Sequence, residues 1–223
     1  MRLVLWDIDH TLISTRGMGR ELSAIAFQKT TGMPMREQAA IDGITEPVIF
    51  RETAALHGLR TNRHDFERFA HELAEQHRLR EAELRLRGCS LPGAAAAVGA
   101  LAGRVDVLQS VVSGNVKAVA QIKLRVFGLD GPIAWDVGAY GEDADERPDL
   151  VGLSLARAAR YPAETVLVGD TPADVEGAQA HGVRVIAVAT GKSSEQQLRD
   201  AGAEFVLSDL TDTDSFVRLV AAD

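Results

Sequence analysis

The sequence predicts an α/β fold: a parallel sheet covered by helices on both faces, with a helical subdomain inserted after the first strand. Three observations predict it. Short apolar segments alternate with helix-length amphipathic ones along most of the chain. The short segments are rich in Val, Leu and Ile, the pattern of strands buried on both faces. The stretch from about 15 to 89 breaks this alternation, with helical patterns and no clear strand.

The elements follow in chain order. Residues 3–8, LVLWDI, make the first strand, which ends in acid. Amphipathic runs near 18–31, 46–57 and 63–86 come next, with turn signals at Thr31-Gly32 and Gly58. Residues 105–112, VDVLQSVV, make the second strand and lead into Ser113-Gly114-Asn115. Residues 164–168, ETVLV, make the third and lead into Gly169-Asp170. Residues 183–188 make the fourth, and 204–207 a weaker fifth. Helices fill the gaps at about 93–102, 115–127, 148–160, 172–181, 194–201 and 212–221. Right-handed crossovers then set every strand's C-terminal end on one edge, where such sheets bind ligands. The expected division is a core of 1–14 and 90–223 with an inserted helical cap of 15–89. The alternative is one domain, in which the same helices cover one sheet face. An insertion at this point leaves from the ligand edge and can fold back over it.

Composition narrows the function. The chain has 223 residues, with 24 Lys and Arg against 32 Asp and Glu, a net charge of −8. That balance argues against nucleic acid, which needs a basic face, and against an anionic membrane surface. No apolar stretch approaches the roughly 20 residues of a membrane span. The N-terminus turns acidic at Asp7, too early for a secretory signal. One cysteine, Cys89, excludes an internal disulfide framework and a cysteine-rich zinc site. The expectation is a cytoplasmic protein, monomer or homodimer, whose partner is a small molecule.

Acidic residues gather where strands end. The first strand runs into Asp7-Ile8-Asp9-His10-Thr11. In an extended segment Asp7 and Asp9 point the same way, and two close carboxylates raise one pKa unless a cation intervenes. A divalent metal beside a nucleophilic carboxylate is one use for such a pair; capping of the next turn is the bland one. The third strand ends in Gly169-Asp170-Thr171-Pro172-Ala173-Asp174, with Thr171 an N-cap and Pro172 at the first helical position. Asp174 there can simply answer the helix dipole, whereas Asp170 leaves the same sheet edge as Asp7. Hard oxygen ligands from two strand ends suit Mg²⁺. Ser113, Gly114 and Asn115 make either an anion site or an ordinary helix cap. Arg147, before Pro148, is either a surface residue or a guanidinium aimed at a phosphate.

Asp7-x-Asp9-x-Thr11, Ser113, the basic residue before Pro148 and Gly169-Asp170-x-x-x-Asp174 resemble the four ordered motifs of the haloacid dehalogenase (HAD) superfamily. The resemblance spans the whole chain. The helical insert makes it similar to the phosphoglycolate-phosphatase-like branch, with a Rossmann-like core. It implies a Mg²⁺-dependent phosphatase acting on a small phosphorylated metabolite. Asp7 would be the nucleophile and Asp9 the acid and base. The metal would take the Asp7 carboxylate, the Asp9 carbonyl and Asp170, with Asp174 orienting groups behind it. Ser113, Gly114, Asn115, Thr11, His10 and Thr45 would contact substrate. The third motif usually carries Lys; Arg147 takes that position here, with Lys117 and Lys123 as alternatives on the preceding helix. His10 stands where the family commonly has Gly. The acid at Asp9 argues for phosphate esters over dehalogenation, and the insert's Lys29 is a poor Schiff-base candidate for phosphonate cleavage. A phosphomutase and a catalytically silent binding module are the alternatives.

The loop Asp42-Gly43-Ile44-Thr45-Glu46-Pro47 is the expected lid tip. Arg16, Arg20 and Arg51 either meet a second anionic group or form solvated helix faces. The Arg-rich run 78–87, interrupted by Glu81 and Glu83, reads as an exposed helix with i,i+4 pairs.

Overall fold

A computed structural model describes residues 1–159 and 164–222. The elements are β1 (Arg2–Trp6), β2 (Ile13–Ser14), α1 (Met18–Thr31), α2 (Glu46–Leu56), α3 (Arg63–Leu79), α4 (Glu81–Arg87), β3 (Cys89–Ser90), α5 (Ala94–Ala102), β4 (Val107–Val111), α6 (Lys117–Val126), α7 (Arg147–Ala158), β5 (Glu164–Gly169), α8 (Pro172–Gln179), β6 (Arg184–Val188), α9 (Glu195–Asp200), β7 (Phe205–Leu207) and α10 (Thr213–Ala221). Residue 160, the expected end of α7, lies outside the described residues. The five long strands form one parallel sheet in the order β4-β1-β5-β6-β7. The chain steps from β1 out to β4 and then crosses back to β5. The crevice beyond the ends of β1 and β5 is therefore the switch point where such sheets take ligands.

Alternation along β1 builds two cores. Val4 and Trp6 face one side, with Trp6 against Phe216 of α10 at 5.4 Å between centroids. Leu3 and Leu5 face the other, against Leu150, Val151 and Val175 of α7 and α8. β1 stops at Trp6, two residues short of the expected strand. The backbone turns there: Leu12 and Ile13 both donate to the Ile8 carbonyl, and His10 donates to the Ile13 carbonyl at 2.8 Å. His10 sits at φ 65°. That left-handed conformation favours glycine but is open to His, which accounts for this departure from the usual motif.

The helices α1–α4 lie between β2 and β3, which pair antiparallel at the root of the excursion. Sequence reading missed this two-residue pairing and the break at Arg80 that divides the expected 63–86 helix into α3 and α4. The helices share a third apolar core of Met18, Leu22, Phe27, Phe50, Phe66, Phe69 and Leu73. Phe50 stacks on Phe69 at 4.5 Å between centroids. The outer face of α6, with Val119, Ile122 and Val126, completes that core, while Ala120 and Leu124 of the same helix belong to the sheet core. One helix thus serves both layers through its i, i+3, i+4 spacing. Among the described residues, no helix is long and apolar enough to cross a membrane.

Candidate active site

Asp7 follows β1 directly, its amide donating to the Val168 carbonyl of β5 at 2.8 Å. Asp170 is the first residue beyond β5. Asp174 comes in the first turn of α8, where Thr171 and Asp174 form a reciprocal capping box. Each of the three carboxylates places an oxygen within 4.8 Å of the others, and all three are buried. Arg147, opening α7, is buried among them. Its Nη2 donates to Asp7 Oδ1 at 3.3 Å, its Nη1 donates to the Val112 carbonyl at 3.0 Å, and its Nε lies 3.3 Å from Asp174 Oδ1. Thr11 donates to Asp170 Oδ1 at 3.0 Å and lies 3.5 Å from Asp7 Oδ2.

Three buried carboxylates against one guanidinium leave excess negative charge. Burial first, then the neighbouring carboxylates, push Asp170 well above the usual carboxylate range. Asp7 is raised in the same way, with Arg147 opposing. This donor set fits a hard divalent cation: carboxylate oxygens converge from two strand ends, and added positive charge would relieve their repulsion. Asp174 belongs to this cluster as closely as Asp170 does.

Asp9 has separate partners, because the turn after Trp6 divides the two aspartates. Lys123 Nζ from α6 reaches Asp9 at 2.6 and 2.8 Å and Asn115 Oδ1 at 2.7 Å. Asn115 Nδ2 donates to Asp9 Oδ2 at 2.7 Å and to Ser113 Oγ at 2.8 Å. Burial pushes Asp9 up, but Lys123 and these hydrogen bonds outweigh it and hold the carboxyl below its usual range. The upward shift expected from the paired aspartates therefore falls on Asp7, and Asp9 is only a minor cause of it. Of the three basic candidates, Arg147 meets Asp7 and Lys123 meets Asp9. Lys117 points elsewhere, 3.7 Å from Asp136 and over the Tyr140 ring.

These groups open onto a cavity of about 230 Å³. Asp7, Asp9, His10, Ser113, Gly114, Asn115, Arg147 and Asp170 line it, so most of the predicted site converges. Thr11 lies behind the carboxylates rather than in the wall. Thr45 is also outside the wall: its hydroxyl donates to the Asp145 carbonyl at 2.9 Å, and Ile44 and Glu46 line the cavity on either side of it. Arg16 and Arg20 line the cavity, whereas Arg51 pairs with Asp145 at 3.0 Å.

The loop 42–47 does close over this edge. The Glu46 amide donates to the Gly114 carbonyl at 2.9 Å, and Lys192 pairs with Asp42 at 2.9 Å. Gly43, at φ 72°, rests on α8; a Cβ there would lie 2.6 Å from the Ala173 Cβ. Several wall residues from the helical insert were not singled out by sequence, Glu46 and His77 among them. Glu46 stood only as part of the lid loop, and as the first residue of α2 it also reads as a helix-dipole partner. His77 was one residue in a charged run.

A family model described as HAD-hydrolase-like matches residues 144–213, the segment carrying Arg147, Asp170 and Asp174. No curated protein matches the chain. Among solved structures, the chain is similar to a hydrolase from Pseudomonas syringae at 18% identity and TM-score 0.70, covering 100% of each chain. It is similar to a putative β-phosphoglucomutase from Bacteroides vulgatus at 16% identity and TM-score 0.67, covering 99% of this chain and 89% of that one. It is also similar to a predicted phosphoglycolate phosphatase from Haemophilus somnus at 15% identity and TM-score 0.64, covering 97% and 98%. At such identities these likenesses show a common fold.

Proposed function

We propose that this chain, a member of the haloacid dehalogenase superfamily by its family-model match and its fold, is a Mg²⁺-dependent phosphatase of small phosphorylated metabolites. One observation carries the reading: Asp7, Asp170 and Asp174 converge with Arg147 in the buried crevice between β1 and β5, open to a cavity sized for a small molecule. Asp7, Asp170 and the Asp9 carbonyl would hold the Mg²⁺, with Asp174 behind them. The cation would neutralise charge at the transferring phosphoryl group. The composition and the single cysteine favour a cytoplasmic setting, and residues 15–89 act as the cap.

The residues would divide the work as follows. An Asp7 oxygen attacks phosphorus and the ester P–O bond breaks, leaving an aspartyl-phosphate. Asp9, protonated as the substrate dianion binds or by the water of the preceding turnover, gives that proton to the departing oxygen, then takes one from the water that attacks phosphorus. The Asp7–phosphorus bond breaks, releasing phosphate and restoring the carboxylate. Lys123 and Asn115 keep Asp9 ready as a base, and a phosphate dianion of like charge raises its proton affinity for the acid step. Ser113, Asn115 and nearby amides would hold phosphate oxygens, since they line the cavity beside Asp7. Asp9→Asn removes both proton transfers and should slow turnover about 10²- to 10⁴-fold; an unchanged rate assigns the proton to another group.

Arg147 both restrains Asp7 and offers charge to the phosphoryl group. Arg147→Lys should keep more activity than Arg147→Ala, which should lose about 10²- to 10³-fold in kcat. Equal rates for the two would remove charge from its role.

The direct test is phosphate release from a metabolite panel, with Mg²⁺ and with EDTA. Release that EDTA abolishes is the expected result. A phosphomutase is the second reading, favoured by likeness to two structures described as putative β-phosphoglucomutases. It would yield an isomeric phosphate ester and little free phosphate. Failure to bind Mg²⁺ or phosphate analogues at all would point to a silent binding module. Phosphoglycolate is the substrate the family branch brings forward.

A further inference from the structure

The insert side of the cavity carries two buried polar groups without protein partners. Glu46 Oε2 and His77 Nε2 make no hydrogen bond, although both residues line the cavity. His77 is 2% exposed and Glu46 Oε2 is shielded from solvent. Unpartnered buried polar atoms are costly, and in a ligand site they mark where a ligand's polar groups belong. The chemistry of each is fixed by its surroundings. His77 Nδ1 lies 2.9 Å from the Leu73 carbonyl, which can only accept, so the ring proton is on Nδ1. Burial, then Lys123, holds the imidazole down to about 4, so the ring is neutral at pH 7 and Nε2 is an acceptor. Burial raises Glu46 to about 7, but its carboxyl still offers acceptor oxygens.

The charge around the pair excludes other ligands. Asp9 lies close enough to Glu46 to push its carboxyl further up, so a second anion would meet like charge here. Lys123 acts on both groups, which disfavours a cationic amine, yet its short contacts all go to Asp9 and Asn115. Of the other cations that line the cavity, Arg147 is engaged by Asp7 and Asp174, and Arg16 and Arg20 are exposed.

Resting on the phosphatase reading, we propose that Glu46 and His77 form a leaving-group subsite that selects phosphate monoesters of uncharged polyols. Hydroxyls of the alcohol donate to Glu46 and to His77 Nε2 while the phosphate lies against Asp7. A short phospho-acid would set a carboxylate against the acceptor nitrogen of His77 and near Asp9, whereas a hydroxyl can donate to His77 and either donate to or accept from Glu46. Selection of this kind is strong, because a site built to bond a hydroxyl is left unpaired by a substrate that lacks one.

The test compares kcat/KM for glycerol 3-phosphate and hexose 6-phosphates with that for 2-phosphoglycolate and 2-phospholactate, which carry a carboxylate and no hydroxyl, using p-nitrophenyl phosphate as a reference ester without hydroxyls. The wild type should prefer the polyol esters. In Glu46→Leu and His77→Phe, and more mildly in Glu46→Gln, the ratio of polyol-ester to reference kcat/KM should fall about tenfold or more. Preference for the phospho-acids, or ratios untouched by all three substitutions, would overturn the subsite while leaving the phosphatase intact. No turnover of any ester, the reference included, would overturn both.

Discussion

Asp7→Asn abolishes phosphate release, by about four orders of magnitude or more, and leaves the protein folded. The amide is nearly isosteric, so the Val168 backbone contact and the packing beneath it persist. What disappears is, among the described residues, the only carboxylate that both faces the cavity and pairs with the buried guanidinium of Arg147. Stability moves the other way. Asp7 is buried beside Asp170 and Asp174, and its folded-state pKa lies above its unfolded one. Such a group is charged at neutral pH at a cost that grows as pH rises from the unfolded pKa to the folded one. In EDTA, then, Asp7→Asn should melt at the same temperature as the wild type or higher. In Mg²⁺ the order should reverse, because the variant has lost a ligand and with it the stabilisation that binding gives. Thermal melts in both buffers beside the rate assay read all of this. Retained turnover removes Asp7 as nucleophile, and a lower melting temperature in EDTA removes the repulsion argument.

The fold was legible because it rests on patterns that are local in sequence. Short Val- and Leu-rich segments leading into Asp7, Ser113 and Asp170 mark parallel strands by themselves, and alternation with helices leaves few topologies. The carboxylates were legible for the same reason: each sits at a strand end, and strand ends share an edge. What the sequence hid was set by tertiary contact. The turn that separates Asp7 from Asp9 depends on His10 adopting φ 65°, which one residue type does not announce. The Asp9–Lys123 pair joins positions 114 residues apart, and Lys123 on its own reads as one more helical lysine. Thr45 and Thr11 looked like wall residues because they adjoin the right motifs, yet Asp145 and Asp170 claim their hydroxyls. Glu46 and His77 stand out only once the insert is folded over the edge and their missing partners can be seen.

Lys123→Met should be the most destabilising of the single changes, and its effect should depend on pH. Methionine keeps the length and apolar stem of lysine on α6 but leaves the half-buried Asp9 carboxylate with Asn115 alone. Removing one partner of a fully buried ion pair typically costs about 3–5 kcal/mol, since the other charge stays behind uncompensated; Asp9 keeps some contact with solvent, so the loss here should fall below that range. In the wild type, Asp9 has a folded pKa below its unfolded value, so its contribution is present above the unfolded pKa and fades as pH falls. Without Lys123 only burial remains as the leading influence, and the folded pKa moves above the unfolded one. The sign then inverts: the variant loses stability as pH rises through that interval and regains it as Asp9 becomes protonated. Asp7 and Asp170 titrate upward in both proteins, so the difference between wild type and variant isolates Asp9. Denaturant unfolding from pH 4 to 8 in EDTA should show a gap that is widest near pH 8 and narrows toward pH 4. A gap constant across this range would mean that Lys123 contributes by packing against α3 and not by charge, and Asp9 would then need another source of its low proton affinity.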